Sequence, residues 1–248
     1  MKNFRFCLRA ACYCICSLAV ISNPATAEPD KEGQAKVQYG LKFDGKDSYV
    51  TLPHVNFTEW NTFTIEAWVK DWRGRICCEG IQGDPQNSIW ISIRANRHST
   101  GWESNNGKNY SAPVDPNSEA GWDHVAMVYD GNEQAFYLNG KLVHKMTAPK
   151  PGPFDPERKL FLGAQQKWRE TQTKPAGLFG KGTMRMFQIS KVARYTKEFD
   201  PAESNKADKN TIVLFDFLKP DQTRLLDSSH NKQHGTIHSA QWVTVQTD

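Results

Sequence analysis

Three tryptophans stand among charged and amide side chains, in stretches without a clear alternation of polar and apolar residues. An indole ring can stack on a sugar ring while neighbouring polar groups bond its hydroxyls or acidic substituents. These stretches therefore predict a ligand site. Its candidate residues are the three tryptophans and their polar neighbours, namely Trp72, Arg73, Arg75, Trp102, Asn105, Asn106, Lys167, Trp168 and Arg169.

If these tryptophans bind a sugar, they should be partly exposed, and at least two should share one face of the domain. The alternative for any one of them is burial at an edge of the core, because Trp is largely buried on average. The basic neighbours favour an anionic polysaccharide, sulfated or uronic, whose binding should weaken as salt screens exposed charges. A protein-binding surface would instead need an exposed apolar patch.

Short loops that contain Asp are a second place for chemistry. Asp44 and Asp47 in DGKD, and Asp227 in DSS, could supply carboxylate oxygens to calcium, which takes several oxygen ligands. Each Asp could equally accept hydrogen bonds from backbone N–H groups of its own turn. The sequence thus predicts a structural calcium site at these three residues, with ordinary Asp turns as the alternative.

Short β-strands must position these residues. Residues 63–70 alternate with period two, which favours a strand with one face in the core. In residues 122–146, Asp130-Gly131 and Asn139-Gly140 separate three short runs, a pattern that predicts a three-stranded antiparallel meander. The first run is apolar on both faces, as in a covered central strand. The predicted fold is all-β, an antiparallel two-sheet sandwich.

Several motifs resemble the laminin-G-like, concanavalin A-like jelly-roll family. They are WDHVAMVYDG at 122–131, FYLNGKLV at 136–143, LKFDGKDSYVTLP at 41–53 and the closing segment 191–217. Together the resemblance covers roughly residues 39–243. It implies a concanavalin A-like jelly roll, and family members often carry a metal in the loops that contain Asp44 and Asp227 here.

Two departures from the family pattern put inherited ligand contacts in doubt. Family members usually have an Asp-Glu pair in the strand after the long loop, where this chain has Arg185-Met186. Their glycine-rich DSSGNG loop reads DSSHNK at 227–232.

Enzyme activity is not expected. Glycosidases use paired carboxylates, which related sandwich glucanases place on alternate positions of one strand, but residues 63–70 offer only Glu66 and residues 183–190 offer none. HExxH and GxSxG motifs are also absent. The sequence predicts a non-catalytic recognition module with carbohydrate as the first candidate ligand. A protein-binding or adhesion module on the same fold is the alternative, and a glycoside hydrolase comes last.

The first 27 residues predict an export signal. Three basic residues precede an apolar run at 10–21 that is too short to span a bilayer, and Ala25-Thr26-Ala27 suits cleavage. The predicted organisation is a signal peptide at 1–27, a flexible lead-in at 28–38, a jelly-roll domain at 39–243 and a tail at 244–248. We expect a secreted, periplasmic or cell-surface protein with no membrane span in the mature chain.

Removing the signal changes the charge and cysteine balance. The remainder has 28 basic and 27 acidic residues, so nothing favours nucleic acid as a partner. Of six cysteines only Cys77 and Cys78 remain. Adjacent strand residues point to opposite faces and cannot form a disulfide without distortion. We expect one thiol in the core and one at an edge.

Overall fold

The structure, a computed structural model, describes residues 37–80, 88–94, 97–103, 109–114, 121–154, 156–166 and 176–245. The chain from Val37 onward forms one compact unit. Within the described ranges the chain is almost entirely β-strand and loop, with one short 3-10 turn at Phe57–Glu59 and no α-helix. These ranges accordingly hold no helix long and apolar enough to cross a membrane.

The strands, in chain order, are β1 (Gln38–Asp44), β2 (Tyr49–Leu52), β3 (Phe63–Glu79), β4 (Ile89–Arg94), β5 (Arg97–Glu103), β6 (Asn109–Val114), β7 (Trp122–Tyr129), β8 (Glu133–Leu138), β9 (Lys141–Thr147), β10 (Leu160–Leu162), β11 (Gln165–Gln166), β12 (Ala176–Gly177), β13 (Lys181–Ser190), β14 (Thr211–Phe215), β15 (Arg224–Leu225), β16 (Gly235–His238) and β17 (Gln241–Val245).

These strands build the two antiparallel layers that the sequence predicted. The first sheet runs β17-β1-β13-β3-β7-β8-β9, with β14 also paired to β13. The second sheet runs β15-β16-β2-β10-β3-β4-β5-β6, and β11 pairs with β12 alone. The long strand β3 belongs to both, because its first part pairs with β7 and β13 and residues 74–79 pair with β4. The expected all-β sandwich is confirmed.

The main core lies between the layers. Phe63, Ile65, Ala67 and Val69, at alternate positions of β3, are all completely buried in it, as the period-two pattern predicted. The intervening side chains therefore point to the outer face of the first sheet.

The meander of β7, β8 and β9 is also confirmed. Leu138 pairs with Lys141 across a two-residue turn in which Asn139 and Gly140 have φ angles of 49° and 75°. Positive φ at both central positions is the geometry of a type I′ hairpin. The Asn139 amide further accepts a hydrogen bond from the backbone N–H of His124 at 2.8 Å, which ties the turn to the start of β7.

Residues 191–210 cover part of the outer face of the first sheet. The rings of Tyr195 and Phe199 stack with centroids 3.5 Å apart and pack against a buried apolar cluster that includes Val128 and Tyr137. This crossing is what buries the second apolar face of β7.

The sheet extends beyond the predicted domain limits. Gln38 of β1 pairs with Val245 of β17, so residues assigned to the lead-in and the tail are paired at one edge of the first sheet. The cysteine expectation is half wrong. Neither Cys77 nor Cys78 forms a disulfide with a described residue, and both are buried. Strands pair with β3 on both sides at this point.

Candidate functional site

The two tryptophans of the predicted site that the structure describes are buried, so the expectation that they are partly exposed is wrong. Trp72 is 5% exposed, and its ring packs edge-on to Phe43 at 5.0 Å. Trp102 is 0% exposed and donates its indole N–H to the Pro149 carbonyl at 3.1 Å. Both belong to the main core.

An irregularity in β3 explains the position of Trp72. The residues that alternate into the core are odd-numbered up to Val69, whereas Trp72 is even-numbered. Asp71 has a φ of 51°, and the pairing of β3 with β13 shifts beside it. Such an extra residue reverses which side chains face inward.

The remaining candidate residues of the predicted ligand site divide into three groups. Arg73 is exposed. Arg75 is buried, and its guanidinium donates to Ser92 Oγ and to Gln165 Oε1, both at 2.9 Å. These two hydrogen bonds therefore join β3 to β4 and to β11. The other candidates lie outside the described residues, and their role stays a prediction: Asn105, Asn106, Lys167, Trp168 and Arg169.

Asp44, one of the predicted calcium ligands, accepts hydrogen bonds within its own turn. Asp44 Oδ1 accepts hydrogen bonds from the Ser48 hydroxyl and from the backbone N–H groups of residues 46–48. Burial alone would raise the pKa of Asp44, but these bonds outweigh it and hold the pKa well below the usual range.

Asp227 is more completely occupied. Its Oδ1 accepts from the N–H groups of Leu214 and Ser229, and its Oδ2 accepts from the Ser229 hydroxyl and the Gln233 N–H, at 2.7–2.9 Å. Donor hydrogens aimed at a carboxylate oppose a cation at the same oxygens. Within the described ranges, no group of three His, Cys, Asp or Glu side chains is placed to hold a metal. Asp44, Asp47 and Asp227 do not fit a shared calcium ion.

A groove on the outer face of the first sheet offers another candidate site. It has a volume of about 710 Å³, and its walls include six residues that we call the lysine groove, namely Lys42, Lys70, Asp71, Trp122, Lys181 and Thr183. Lys42 and Lys70 follow the core residues Leu41 and Val69, so strand alternation places both on this face.

Strand pairing aligns four of these side chains in a row. Lys42 of β1 pairs with Thr183 of β13, Thr183 pairs with Lys70 of β3, and Lys70 pairs with Trp122 of β7. Directly paired residues lie about 5 Å apart, and neighbouring strands are separated by about 4.8 Å. The row therefore crosses four strands and spans about 14 Å.

The electrostatics of the lysine groove favour anions. Lys42 and Lys181 are exposed, Lys70 is partly buried, and in the described part of the chain none of the three forms an ion pair. Asp71 is the one carboxylate among the described wall residues. The groove thus presents three positive charges against one negative charge.

Trp122 is held in place from behind. The Arg185 guanidinium lies 4.9 Å from the ring centroid of Trp122 and 4.4 Å from that of Trp68, and it is paired with Glu203 Oε2. Stacking of this kind fixes both the ring and the cation. Arg185 stands where the family pattern described above has an acidic pair, and here its side chain supports the ring of Trp122.

None of the six residues of the lysine groove was among the ligand-binding candidates predicted from the sequence. The local pattern does predict the side on which two of the lysines lie, because Lys42 and Lys70 each follow an apolar residue of an alternating run. What brings them together is the pairing of β1 with β13, whose partners are more than 130 positions apart in the chain.

A buried polar network on the same sheet does not provide an accessible catalytic site. Glu66 Oε2 accepts from the Tyr195 hydroxyl at 2.7 Å and lies 3.0 Å from His124 Nε2. Burial, together with the Glu66 carboxylate, raises the pKa of Tyr195 above its usual range, so its hydroxyl stays a donor. Glu66 and His124 are at most 1% exposed beneath residues 191–210, and the network fastens that segment to the sheet.

On the outer face of the second sheet, aromatic rings face one another. Tyr49 stacks on His238 with centroids 4.3 Å apart and on Phe161 at 5.6 Å. Phe161 is itself buried with Ala164 and Ala176, next to β11 and β12. This cluster joins β2, β10 and β16.

Comparison with solved structures finds several similar chains. A candidate carbohydrate-binding protein from Bacteroides ovatus ATCC 8483 is 16% identical with a TM-score of 0.58, over 86% of this chain and 61% of that one. Domains LG4-5 of the mouse laminin α1 chain are 11% identical with a TM-score of 0.48, over 68% and 48% of the two chains. The Ruminococcus gnavus IT-sialidase CBM40 bound to α2,3-sialyllactose is 11% identical with a TM-score of 0.46, over 63% and 91%.

This chain thus spans about three-fifths of the Bacteroides protein, and comparison with curated proteins finds no match. A family model of laminin G type, described as the concanavalin A-like lectin/glucanases superfamily, matches residues 44–198, more than half of the chain. With the sandwich described above, this match shows that the chain belongs to the concanavalin A-like lectin/glucanase superfamily.

Proposed function

We propose that this protein is an exported, non-catalytic carbohydrate-recognition module whose lysine groove binds an anionic polysaccharide. The observation that carries the proposal is the paired row of Lys42, Thr183, Lys70 and Trp122 across four strands. It combines cations, a hydroxyl and an aromatic ring in one open groove, which are the groups that recognise an acidic sugar chain.

The shape of the groove favours a polymer over a single small ligand. The row is about 14 Å long, several times the spacing between neighbouring strands. An extended chain laid across the strands would meet Trp122 at one end and Lys42 at the other. Because Arg185 already holds the Trp122 ring, little side-chain freedom would be lost on binding.

The charges of the groove distinguish the polymer class. A neutral glucan would leave three lysines without new partners, whereas uronate or sulfate groups could pair with them. Exposed ion pairs contribute about 0.2–1 kcal/mol each. Several such pairs are therefore needed, and a repeating anionic polymer can supply them.

Two further points support recognition without catalysis. Glycosidases use a pair of carboxylates at the scissile bond, and among the described walls of this groove Asp71 stands alone. The Bacteroides ovatus neighbour is also described as a candidate carbohydrate-binding protein. The protein-binding alternative has less support, because the exposed large hydrophobic side chains in the described ranges are scattered over three places in the chain: Val37, Leu142 with Val143, and Leu178.

The test is binding of polygalacturonate, with dextran as the neutral comparison, measured by calorimetry on the full mature chain. We expect binding of polygalacturonate alone, weakening as salt is raised. The double variant K42Q/K70Q should bind about fivefold to tenfold more weakly, in line with two lost exposed pairs. Trp122→Ala should also bind more weakly.

Lys209 is an exposed lysine outside the groove, so Lys209→Gln is the matched control and should bind like the parent. Equal affinity for dextran and polygalacturonate would contradict the proposed ligand class. An equal loss of affinity in K209Q and K42Q/K70Q would show that binding depends on net charge and not on this groove.

A further inference from the structure

A second pocket lies where the end of β14, β15 and the loop before β16 meet β17. Its volume is about 520 Å³. We call it the His234 pocket, and its walls include Phe217, Lys219, Leu225, Lys232, His234 and Trp242. None of them lines the lysine groove.

The protonation state of His234 follows from one hydrogen bond. The backbone N–H of Asp227 donates to His234 Nδ1 at 3.0 Å, so this nitrogen must carry a lone pair. A neutral imidazole with Nδ1 as acceptor carries its hydrogen on Nε2. In the described part of the chain Nε2 has no protein partner, so the ring offers an N–H donor at the pocket wall.

The pocket also offers unpaired positive charge. Lys219 and Lys232 are exposed, and neither forms an ion pair with the described residues. The lining also holds the carboxylates of Asp216 and Asp227, whose oxygens are occupied by protein donors. Asp216 accepts from the Ser228 hydroxyl at 2.5 Å and from the Leu218 N–H at 3.2 Å. All four principal acceptor contacts of Asp227 are likewise made to protein donors.

The same pocket is lined by apolar side chains that are well fixed. Phe217 is buried and packs edge-on to Trp242 at 5.8 Å. The Trp242 indole N–H donates to the Asp221 carbonyl at 2.7 Å, which sets the orientation of the ring. A rigid aromatic wall facing a cluster of donors suits a flat ring that carries one carboxylate.

From this arrangement we propose that the His234 pocket binds a single acidic sugar residue through its carboxylate. The carboxylate meets the His234 Nε2–H and the ammonium groups of Lys219 and Lys232, and the sugar ring lies against Trp242. Charge-assisted hydrogen bonds of this kind are stronger than neutral ones. The site is separate from the lysine groove and does not depend on the function proposed for it.

Glucuronate is the probe, with glucose as the neutral comparison, titrated into the full mature chain and followed by the tryptophan indole N–H signals in NMR. The Trp242 signal should shift on titration with glucuronate, while that of Trp122 in the lysine groove should not. Glucose should leave both signals in place.

Three variants remove one ligand contact each with little risk to the fold. His234→Asn keeps an oxygen that can accept from the Asp227 N–H but lacks the Nε2 donor. Lys232 has a φ of 52°, a conformation that Asn tolerates, so Lys232→Asn removes only the charge. Lys219→Gln changes an exposed side chain. His230→Asn, in the same loop but outside the pocket, is the control.

We expect the glucuronate dissociation constant to rise about tenfold in H234N and about threefold or more in each lysine variant, with no change in H230N. The proposal is overturned if about 10 mM glucuronate leaves the Trp242 signal unmoved. It is also overturned if H234N and K219Q bind like the parent, or if glucose binds as well as glucuronate. The polygalacturonate experiment with K42Q/K70Q tests the lysine groove alone. Its outcome therefore does not change how the glucuronate titration is interpreted.

Discussion

At the scale of single residues, the carboxyl group of Glu79 shows how burial changes the protonation of a side chain. It is completely buried at the end of β3, with His54 Nδ1 2.8 Å from its Oε1. Burial raises the pKa of Glu79 to about 8, although the Val55 backbone N–H and the Arg158 charge act in the opposite direction. Between pH 4.5 and pH 8 the native state therefore holds a proton that the unfolded chain has lost.

Stability should consequently fall as pH rises through this window, since the native state binds more protons there than the unfolded state. One pH unit between the two pKa values corresponds to about 1.4 kcal/mol, so the loss should reach a few kcal/mol. Glu79→Gln should flatten the fall. The measurement is the free energy of unfolding at pH 5 and pH 8, with exposed Glu59→Gln as the control. An E79Q variant that keeps the full pH dependence would show that other groups cause it.

At the scale of elements, the Asn139-Gly140 turn sets the register of β8 against β9. Gly140 has a φ of 75°, and a Cβ built there would lie 1.8 Å from the Phe199 carbonyl oxygen. Gly140→Val should therefore destabilise the protein by more than about 1 kcal/mol, through backbone strain and displacement of the covering segment. Gly131, which has a φ of 103° but whose Cβ would make only an ordinary contact of 3.4 Å with the Asn61 carbonyl oxygen, allows a comparison. Thermal unfolding of both valine variants measures the difference. Equal melting temperatures would show that the contact with Phe199 is not limiting.

The loop that begins at Asp227 is an element held by one carboxylate. Asp227→Ala leaves several buried donors without an acceptor and should cost more than about 2 kcal/mol, whereas exposed Asp47→Ala should cost little. Chelator and excess calcium should give the parent the same melting curve, because a ligand raises the melting temperature only if it binds the native state. A calcium-dependent rise that D227A abolishes would restore the calcium site expected from the sequence.

At the scale of the whole molecule, the two ends of the described chain pair with each other at one edge of the first sheet. β17 pairs with β1 over five positions, and Trp242 packs against the main core. Truncation after Ala240 should lower the melting temperature by more than about 5 °C, since 1 kcal/mol corresponds to about 2–4 °C in a chain of this size. Truncation after Val245 is the control. An unchanged melting temperature after the longer truncation would show that the pairing of β17 with β1 contributes little to stability.

The sequence by itself determined the fold class and the elements with regular local signals. Alternation identified the core face of β3, and Asn139-Gly140 identified the hairpin turn, because both are properties of a few consecutive residues. The family resemblance rests on the same local motifs, and the family match over residues 44–198 confirms it.

Only the tertiary structure decided which residues could form a site. The irregularity beside Asp71 turns Trp72 into the core, and pairing with Ile89 turns Trp102 inward, neither of which local pattern reveals. The lysine groove arises because β1, β13, β3 and β7 lie side by side, although they are distant in sequence. Strand order depends on the lowest free energy of the whole sandwich, so a local pattern could place Lys42 and Lys70 on an outer face but could not make them neighbours.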